Sequence, residues 1–154
     1  TMLLEALYTV NCVAPRALQV ERFLPLSPIR LLVDARGKQL AELVPHERLN
    51  SLVERVKKPT ALAIIKQGHT ELDAKMALAN QQAEARLQEI LATAEQHMRG
   101  DLGAELGRLE ALRVVNPAIR EEELEHLRYR IEECAIHIQH ASLQLQALRL
   151  IITT

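Results

Sequence analysis

Apolar and polar residues alternate through the first third of the chain, a pattern typical of short strands with one buried face. The alternation predicts three strands: Leu3–Val13, Ala17–Leu24 and Ile29–Ala35. Short connections between them favour an antiparallel meander, and Pro25 and Pro28 separate the second strand from the third. Asp34–Lys38 is predicted to turn next, with Gly37 suited to a positive φ.

The pattern becomes helical near residue 47. A short helix is predicted over Glu47–Val56, and Pro59 ends that segment. A long helix is then predicted from Thr60 to Arg99, because apolar or small residues recur at alternating steps of three and four. They form a heptad seam of Leu62, Ile65, His69, Leu72, Met76, Ala79 and Ala83, continued after a stutter by Leu87, Ile90, Ala94 and Met98.

Glycine and proline divide the remaining helical sequence. Gly100 is expected to cap or kink the helix, and Asn116-Pro117 to end one helix and start another. A second seam follows at Leu124, Leu127, Ile131, Cys134, Ile138, Ala141, Leu145 and Leu148. Two seams on either side of one turn predict an antiparallel helical hairpin. The apolar, β-branched end at Leu148–Thr153 is predicted to return to the sheet as a strand.

These elements place the chain in the α+β class. The expected architecture is a small antiparallel sheet packed with a short helix and a long antiparallel helical hairpin. Residues 1–58 would hold the sheet and the short helix, and residues 59–154 the hairpin and the final strand.

Composition excludes several functional classes. The 154 residues suit one domain, and the net charge of −1 argues against binding DNA by neutralising phosphates. Tyr8, Phe23 and Tyr129 are the only aromatic residues, too few for a platform that stacks bases. Two cysteines fit a reducing cytosol, and the apolar runs are too short to span a membrane. We therefore expect a cytoplasmic protein without a membrane partner.

The charge is unevenly distributed between the two predicted halves. Residues 1–58 carry nine Lys and Arg against six Asp and Glu, a net of +3. Residues 59–154 carry ten against fourteen, a net of −4. A net of +3 is too weak to indicate a nucleic-acid site.

Catalytic and metal-binding motifs are weak. Gly37-Lys38 lacks the first glycine of a phosphate-binding loop. Cys134, His137 and His140 share one side of a predicted helix, but a buried thiol explains Cys134 better than a metal site, since a fourth ligand is missing. A metalloenzyme that uses these three residues is therefore the weakest functional hypothesis.

The other histidines also have simpler explanations. Glu123 and His126 have a di-iron spacing, but the second such motif is missing. His69 is expected to be a buried or register-setting residue of the first seam. His46 and His97 lie outside any recognisable catalytic set. The sequence thus predicts no catalytic, cofactor-binding or metal-binding residue.

Three long segments resemble one known family. They are Arg22–Asp34 (RFLPLSPIRLLVD), Arg108–Arg120 (RLEALRVVNPAIR) and Leu145–Ile152 (LQALRLII). Their order and spacing are similar to those of the C-terminal domain in the RapA (HepA) family, whose members are bacterial Swi/Snf-type ATPases. The resemblance runs through essentially the whole chain, although residues 45–100 match more in pattern than in letters.

The resemblance implies a tail domain of a larger machine. Members of the family bind core RNA polymerase and recycle it by remodelling post-termination complexes on DNA. Their ATP, Mg²⁺ and DNA sites belong to helicase-like lobes upstream, so this chain is expected to be a non-catalytic C-terminal domain that docks or regulates those lobes. The alternative is a free-standing helical adaptor that associates with itself through its heptad seams.

Overall fold

The computed structural model describes residues 1–153 and has the predicted α+β architecture, with an antiparallel sheet and four helices. The strands are β1 (Met2–Asn11), β2 (Ile29–Val33) and β3 (Ser142–Ile152). The helices are α1 (His46–Leu52), α2 (Lys58–Gln67), α3 (His69–Val115) and α4 (Glu121–Gln139). Two further short 3₁₀ turns cover Arg16–Leu18 and Val20–Arg22.

Residues Ala17–Leu24 do not form the predicted second strand. Gln19 has a left-handed backbone with a φ of 51°, which interrupts any extended chain. The two 3₁₀ turns on either side of it bury Leu18 and Val20 instead. The alternation correctly indicates which residues are buried, but the predicted strand is wrong. Tight turns can also bury every second residue.

The chain folds as two compact units, each assembled from separate stretches of sequence. Of the described residues, the first contains 1–9, 28–86 and 143–153, and the second contains 10–27 and 87–142. The boundary predicted between residues 58 and 59 falls inside the first unit.

The first unit is organised around the central strand β1. The strand order is β2-β1-β3, and β1 pairs antiparallel with β2 so that Leu4 lies opposite Val33 and Tyr8 opposite Ile29. The predicted first strand is confirmed as β1, and Leu4, Ala6 and Tyr8, which alternate along it, are all buried.

One face of the sheet packs against the N-terminal part of α3. The Tyr8 hydroxyl donates to Asn80 Oδ1 at 2.6 Å, and burial raises the pKa of Tyr8. The buried Lys75 donates to the backbone oxygen of Asp34 at 3.2 Å. The predicted Asp34–Lys38 turn is confirmed, and Gly37 has a φ of 79°.

The opposite face is covered by the segment between β2 and α2. Leu32 of β2, Leu49 of α1 and Ile151 of β3 form a buried cluster, with Leu3, Leu40, Ala41, Val44 and Val53 packed around it. The short helix predicted over Glu47–Val56 is present as α1. Because both faces are covered, β2 is buried at four of its five positions.

The second unit contains the predicted antiparallel hairpin, formed by α4 and the C-terminal part of α3. Arg99 pairs with Glu132 at 3.3 Å, and Arg128 pairs with Glu110 at 3.3 Å. The seam residues Leu87, Ala94, Met98, Leu124, Leu127, Ile131, Cys134, Ile138 and Ala141 are all buried. Residues 16–24 cover the hairpin, with the Phe23 ring edge-on to His97 at 5.5 Å.

The structure corrects the predicted seams at both ends. Leu62 and Ile65 are 57% and 40% exposed, and His69 is exposed as well. A short break at Gly68 separates α2 from α3, where Met2 Cε would lie 2.6 Å from an added Cβ. Leu145 and Leu148 belong to β3 rather than to a helix.

The glycines of α3 do not end the helix, so the predicted C-cap at Gly100 is wrong. A Cβ added at Gly100, Gly103 or Gly107 points into open space.

We therefore predict that Gly100→Ala and Gly103→Ala each raise the free energy of unfolding by about 0.5–1 kcal/mol, because alanine loses less backbone entropy in a helix. Equilibrium urea unfolding measures the change.

Gly37→Ala is the control, since an added Cβ there lies 2.9 Å from Leu78 Cδ1 and the backbone φ is positive. It should lower the free energy of unfolding by about 1 kcal/mol or more. Destabilisation by both α3 substitutions would show that the helix is not continuous through these glycines.

Candidate functional site

The most highly connected polar site lies in the first unit and is centred on Glu5 of β1. This side chain is 8% exposed and accepts hydrogen bonds from an arginine on each neighbouring strand. Arg30 Nε of β2 lies 2.6 Å from Glu5 Oε1, and Arg149 Nε of β3 lies 2.6 Å from Oε2. One carboxylate thereby links all three strands.

The same carboxylate reaches α1 through a closed ring of hydrogen bonds. His46 Nδ1 lies 3.2 Å from Glu5 Oε1, and His46 Nε2 lies 2.9 Å from Asn50 Nδ2. Asn50 Oδ1 accepts from Arg149 Nη1 at 2.5 Å, which closes the ring. The Nδ1–H tautomer of His46 satisfies both of its contacts.

Arg30 extends this network to the segment that precedes α1. Its Nη1 donates to the backbone oxygens of Ala41 at 3.0 Å and Val44 at 2.8 Å. These carbonyls lie outside any helix. The guanidinium therefore supplies the hydrogen bonds that water would otherwise have to supply, and it holds the loop in place.

The electrostatics of the site keep Glu5 ionised. Burial by itself raises the pKa of Glu5, but hydrogen bonds from Arg30 and His46 and the charge of Arg149 outweigh it, so the pKa lies below the ordinary value of 4.5. Both carboxylate oxygens are engaged by donors. This geometry suits a structural centre, because a general base needs a free oxygen and a pKa near the working pH.

Sequence reasoning missed this network although it carries a signal. Glu5 is the one charged residue of β1, flanked by Leu3, Leu4, Ala6 and Leu7. A lone carboxylate in an apolar strand requires a cationic partner, and β2 and β3 contain one arginine each, Arg30 and Arg149.

Cys134 and His137 lie on α4 and His140 directly follows it, and the three are not grouped to hold a metal ion. Cys134 Sγ donates to the Leu18 backbone oxygen at 3.4 Å, whereas His137 lies 3.8 Å from Glu133. His140 Nδ1 contacts the Ile136 backbone oxygen at 2.7 Å on the exposed side. Burial raises the pKa of Cys134, as expected of a buried thiol.

Glu123 and His126 line an open groove of about 600 Å³ in the second unit. The groove carries charges of both signs, and its other lining residues are Ala17, Glu105, Leu109, Arg120, Glu122, Leu127 and Arg130. Among residues 1–153, no group of three or more His, Cys, Asp or Glu is arranged to hold a metal ion.

Two further histidines form ordinary helix-surface pairs. His69 lies 3.2 Å from Asp73, and His97 lies 3.1 Å from Asp101. His69 is thus an exposed residue and not the predicted member of a buried seam. Across the described part of the chain, the helices lack the length and hydropathy that a membrane crossing needs.

Comparison with known proteins identifies the family. The profile of the family described as "RNA polymerase recycling family C-terminal" matches residues 1–153. The chain belongs to this family. The resemblance seen in the sequence is confirmed, and the matched range includes both units and the Glu5 network.

Individual members of the RNA polymerase recycling family support the assignment. The RNA polymerase-associated protein RapA of Cronobacter sakazakii is 38% identical over 154 residues, and that of Sodalis glossinidius is 41% identical over 158 residues. RapA of Vibrio cholerae is 38% identical over 152 residues, which is 99% of this chain. The chain spans 16% of the length of each of these relatives.

The Glu5 network yields a stability prediction. Glu5→Gln leaves Arg30 and Arg149 without a counter-charge, so we expect the free energy of unfolding at neutral pH to fall by about 3–5 kcal/mol. Chemical denaturation followed by circular dichroism measures this loss. Glu84→Gln, at an exposed position of α3, is the control and should change stability by about 0.5 kcal/mol or less.

The same network predicts a pH dependence. Since the pKa of Glu5 is lower in the folded than in the unfolded chain, its ionisation stabilises the fold at neutral pH. That contribution is lost as the pH falls below 4.5, so the gap between the wild-type chain and Glu5→Gln should narrow in acid. A gap that is constant from pH 7 to pH 3 would contradict an ionised, paired Glu5.

Proposed function

We propose that this chain is a non-catalytic C-terminal domain of a RapA-like, ATP-dependent translocase that recycles RNA polymerase during transcription. Its role is to dock the protein on RNA polymerase or to regulate the ATPase lobes. The observation that carries the proposal is the family match over residues 1–153. The names of the relatives support it, since they describe RNA polymerase-associated proteins.

The pairing of Glu5 agrees with the non-catalytic part of this proposal. Glu5, the most buried carboxylate, has both oxygens engaged by arginines. ATP, Mg²⁺ and DNA would bind to upstream helicase-like lobes of the whole protein. A cytoplasmic location follows from this role in transcription.

Self-association through the heptad seams has less support. The central seam residues of α3 and α4, such as Met98 and Ile138, are 0% exposed within one chain. Those residues are already packed and offer no surface to a second copy.

The proposal predicts that the isolated chain does not hydrolyse ATP. A purified sample should release phosphate at the rate of a buffer blank in a coupled assay, because the ATPase machinery would lie upstream. Turnover that co-purifies with the 17.4 kDa chain and survives further chromatography would overturn the non-catalytic assignment.

The docking role is tested with core RNA polymerase from Vibrio cholerae. The immobilised chain should retain the core enzyme, and RapA from that organism should bind it more weakly when the segment matched by this chain is removed. If the chain retains nothing and the truncated RapA binds normally, the docking role is wrong and the regulatory role is favoured.

A further inference from the structure

Helix α2 carries two large apolar side chains that its own unit leaves partly exposed. Every residue of α2 is exposed or partly exposed, and those that are partly buried, Ala61 and Ile64, recur at a spacing of three. They face the side on which Gly68 meets Met2. Ile65 lies one turn after Ala61, at the edge of that packed side, and Leu62 turns further away from it; the two are 40% and 57% exposed.

Two lysines border this apolar pair. Lys58 precedes Leu62 by four residues and Lys66 follows it by four, so both lie on the same side of the helix as Leu62. We call Lys58, Leu62, Ile65 and Lys66 the α2 surface. It has the two parts of a helix-docking face, an apolar centre and a charged border.

The segment directly before α2 continues this character. Leu52 and Val56 are 72% and 55% exposed. Val56 is two residues from Lys58, so their Cα atoms lie within about 7 Å. Exposed large apolar residues that are close in the chain indicate a contact site more strongly than scattered ones do.

The cations of this region are free to meet a partner. Residues 48–66 contain five basic side chains and one acidic side chain, Glu54. Within residues 1–153 the ion pairs instead involve cations elsewhere, such as Arg22, Arg99 and Arg128. The five exposed and unpaired cations are Arg48, Arg55, Lys57, Lys58 and Lys66.

We propose that the α2 surface binds an acidic, amphipathic helical segment of a partner protein. The apolar side of that segment would cover Leu62 and Ile65, and its carboxylates would meet Lys58 and Lys66. A second copy of the same face is disfavoured, because a two-fold interface would set lysine against lysine. Nucleic acid is disfavoured, since Leu62 and Ile65 offer nothing to phosphates.

The inference deepens the proposed docking function and rests on it for the kind of partner, a protein. It adds the surface that is used and the chemistry that the partner must present. Both can be tested with a defined probe that is independent of RNA polymerase.

The probe is a fluorescent 18-residue peptide with leucines at helical spacing and glutamates between them, titrated with the full chain and followed by anisotropy. Binding should weaken about tenfold or more in Leu62→Ser/Ile65→Ser, which removes both apolar contacts. Val114→Ser/Val115→Ser is the matched control, because these residues are 86% and 79% exposed but lie at the end of α3. It should bind as the wild type does.

A charge variant makes the test independent of the apolar substitutions. Lys57→Glu/Lys58→Glu places acidic residues at the start of α2, where they are compatible with the helix dipole and so preserve the fold. It should also weaken binding about tenfold, whereas Arg16→Glu/Arg108→Glu, at two exposed positions elsewhere, should not. The inference would be overturned if the two charge variants bound the peptide with the same affinity. It would also be overturned if a sequence-scrambled peptide bound the wild-type chain as tightly as the designed peptide does.

Duplex DNA and a second copy of the chain provide the remaining outcomes. If DNA displaces the peptide at equal concentration, nucleic acid replaces the proposed occupant and the inference is wrong. If the chain forms a dimer that Leu62→Ser/Ile65→Ser abolishes, a second copy is the occupant and the inference is also wrong. If this variant retains core RNA polymerase as well as the wild type does, the inference fails while the proposed function stands. If the peptide result holds and polymerase retention fails, the docking role on RNA polymerase alone is wrong.

Discussion

Glu5 is a carboxylate in the middle of an apolar strand, where an uncompensated charge costs several kcal/mol, and the first unit is arranged around the need to pair it. Arg30 and Arg149 approach it from β2 and β3, although their sequence positions are far apart. The carboxylate thereby joins the last strand, β3, to the first two strands of the sheet.

This pairing also determines which surfaces of the first unit remain available. His46 and Asn50 attach α1 to Glu5 and Arg149, while Leu49 is buried against Leu32. The chain leaves this anchored helix and enters α2, in which every residue is exposed or partly exposed. The exposed apolar residues of α2, Leu62 and Ile65, are the part of the first unit for which we propose a protein partner.

Periodicity predicted the fold class, the hairpin and most of the core, because burial of one face repeats at a fixed step wherever an element is regular. It succeeded at Ala83, Leu87 and Cys134, which are buried as the seams require. It failed at Leu62 and Leu145, which continue the spacing of three and four residues but are exposed. It also failed at Gln19, whose left-handed backbone leaves no mark in a hydrophobic pattern. Periodicity could not reveal the Glu5 network, because Arg30 is 25 positions and Arg149 is 144 positions from Glu5 in the sequence.

If the anchored first unit leaves the α2 surface free for a protein partner, amide hydrogen exchange will detect the occupied surface. Exchange would be followed by mass spectrometry on the whole chain, alone and with saturating core RNA polymerase. We expect slower exchange in the complex within residues 52–67, with little change in the buried strand β1. A complex that forms with exchange in residues 52–67 unchanged, and with protection confined to the helical hairpin, would contradict it.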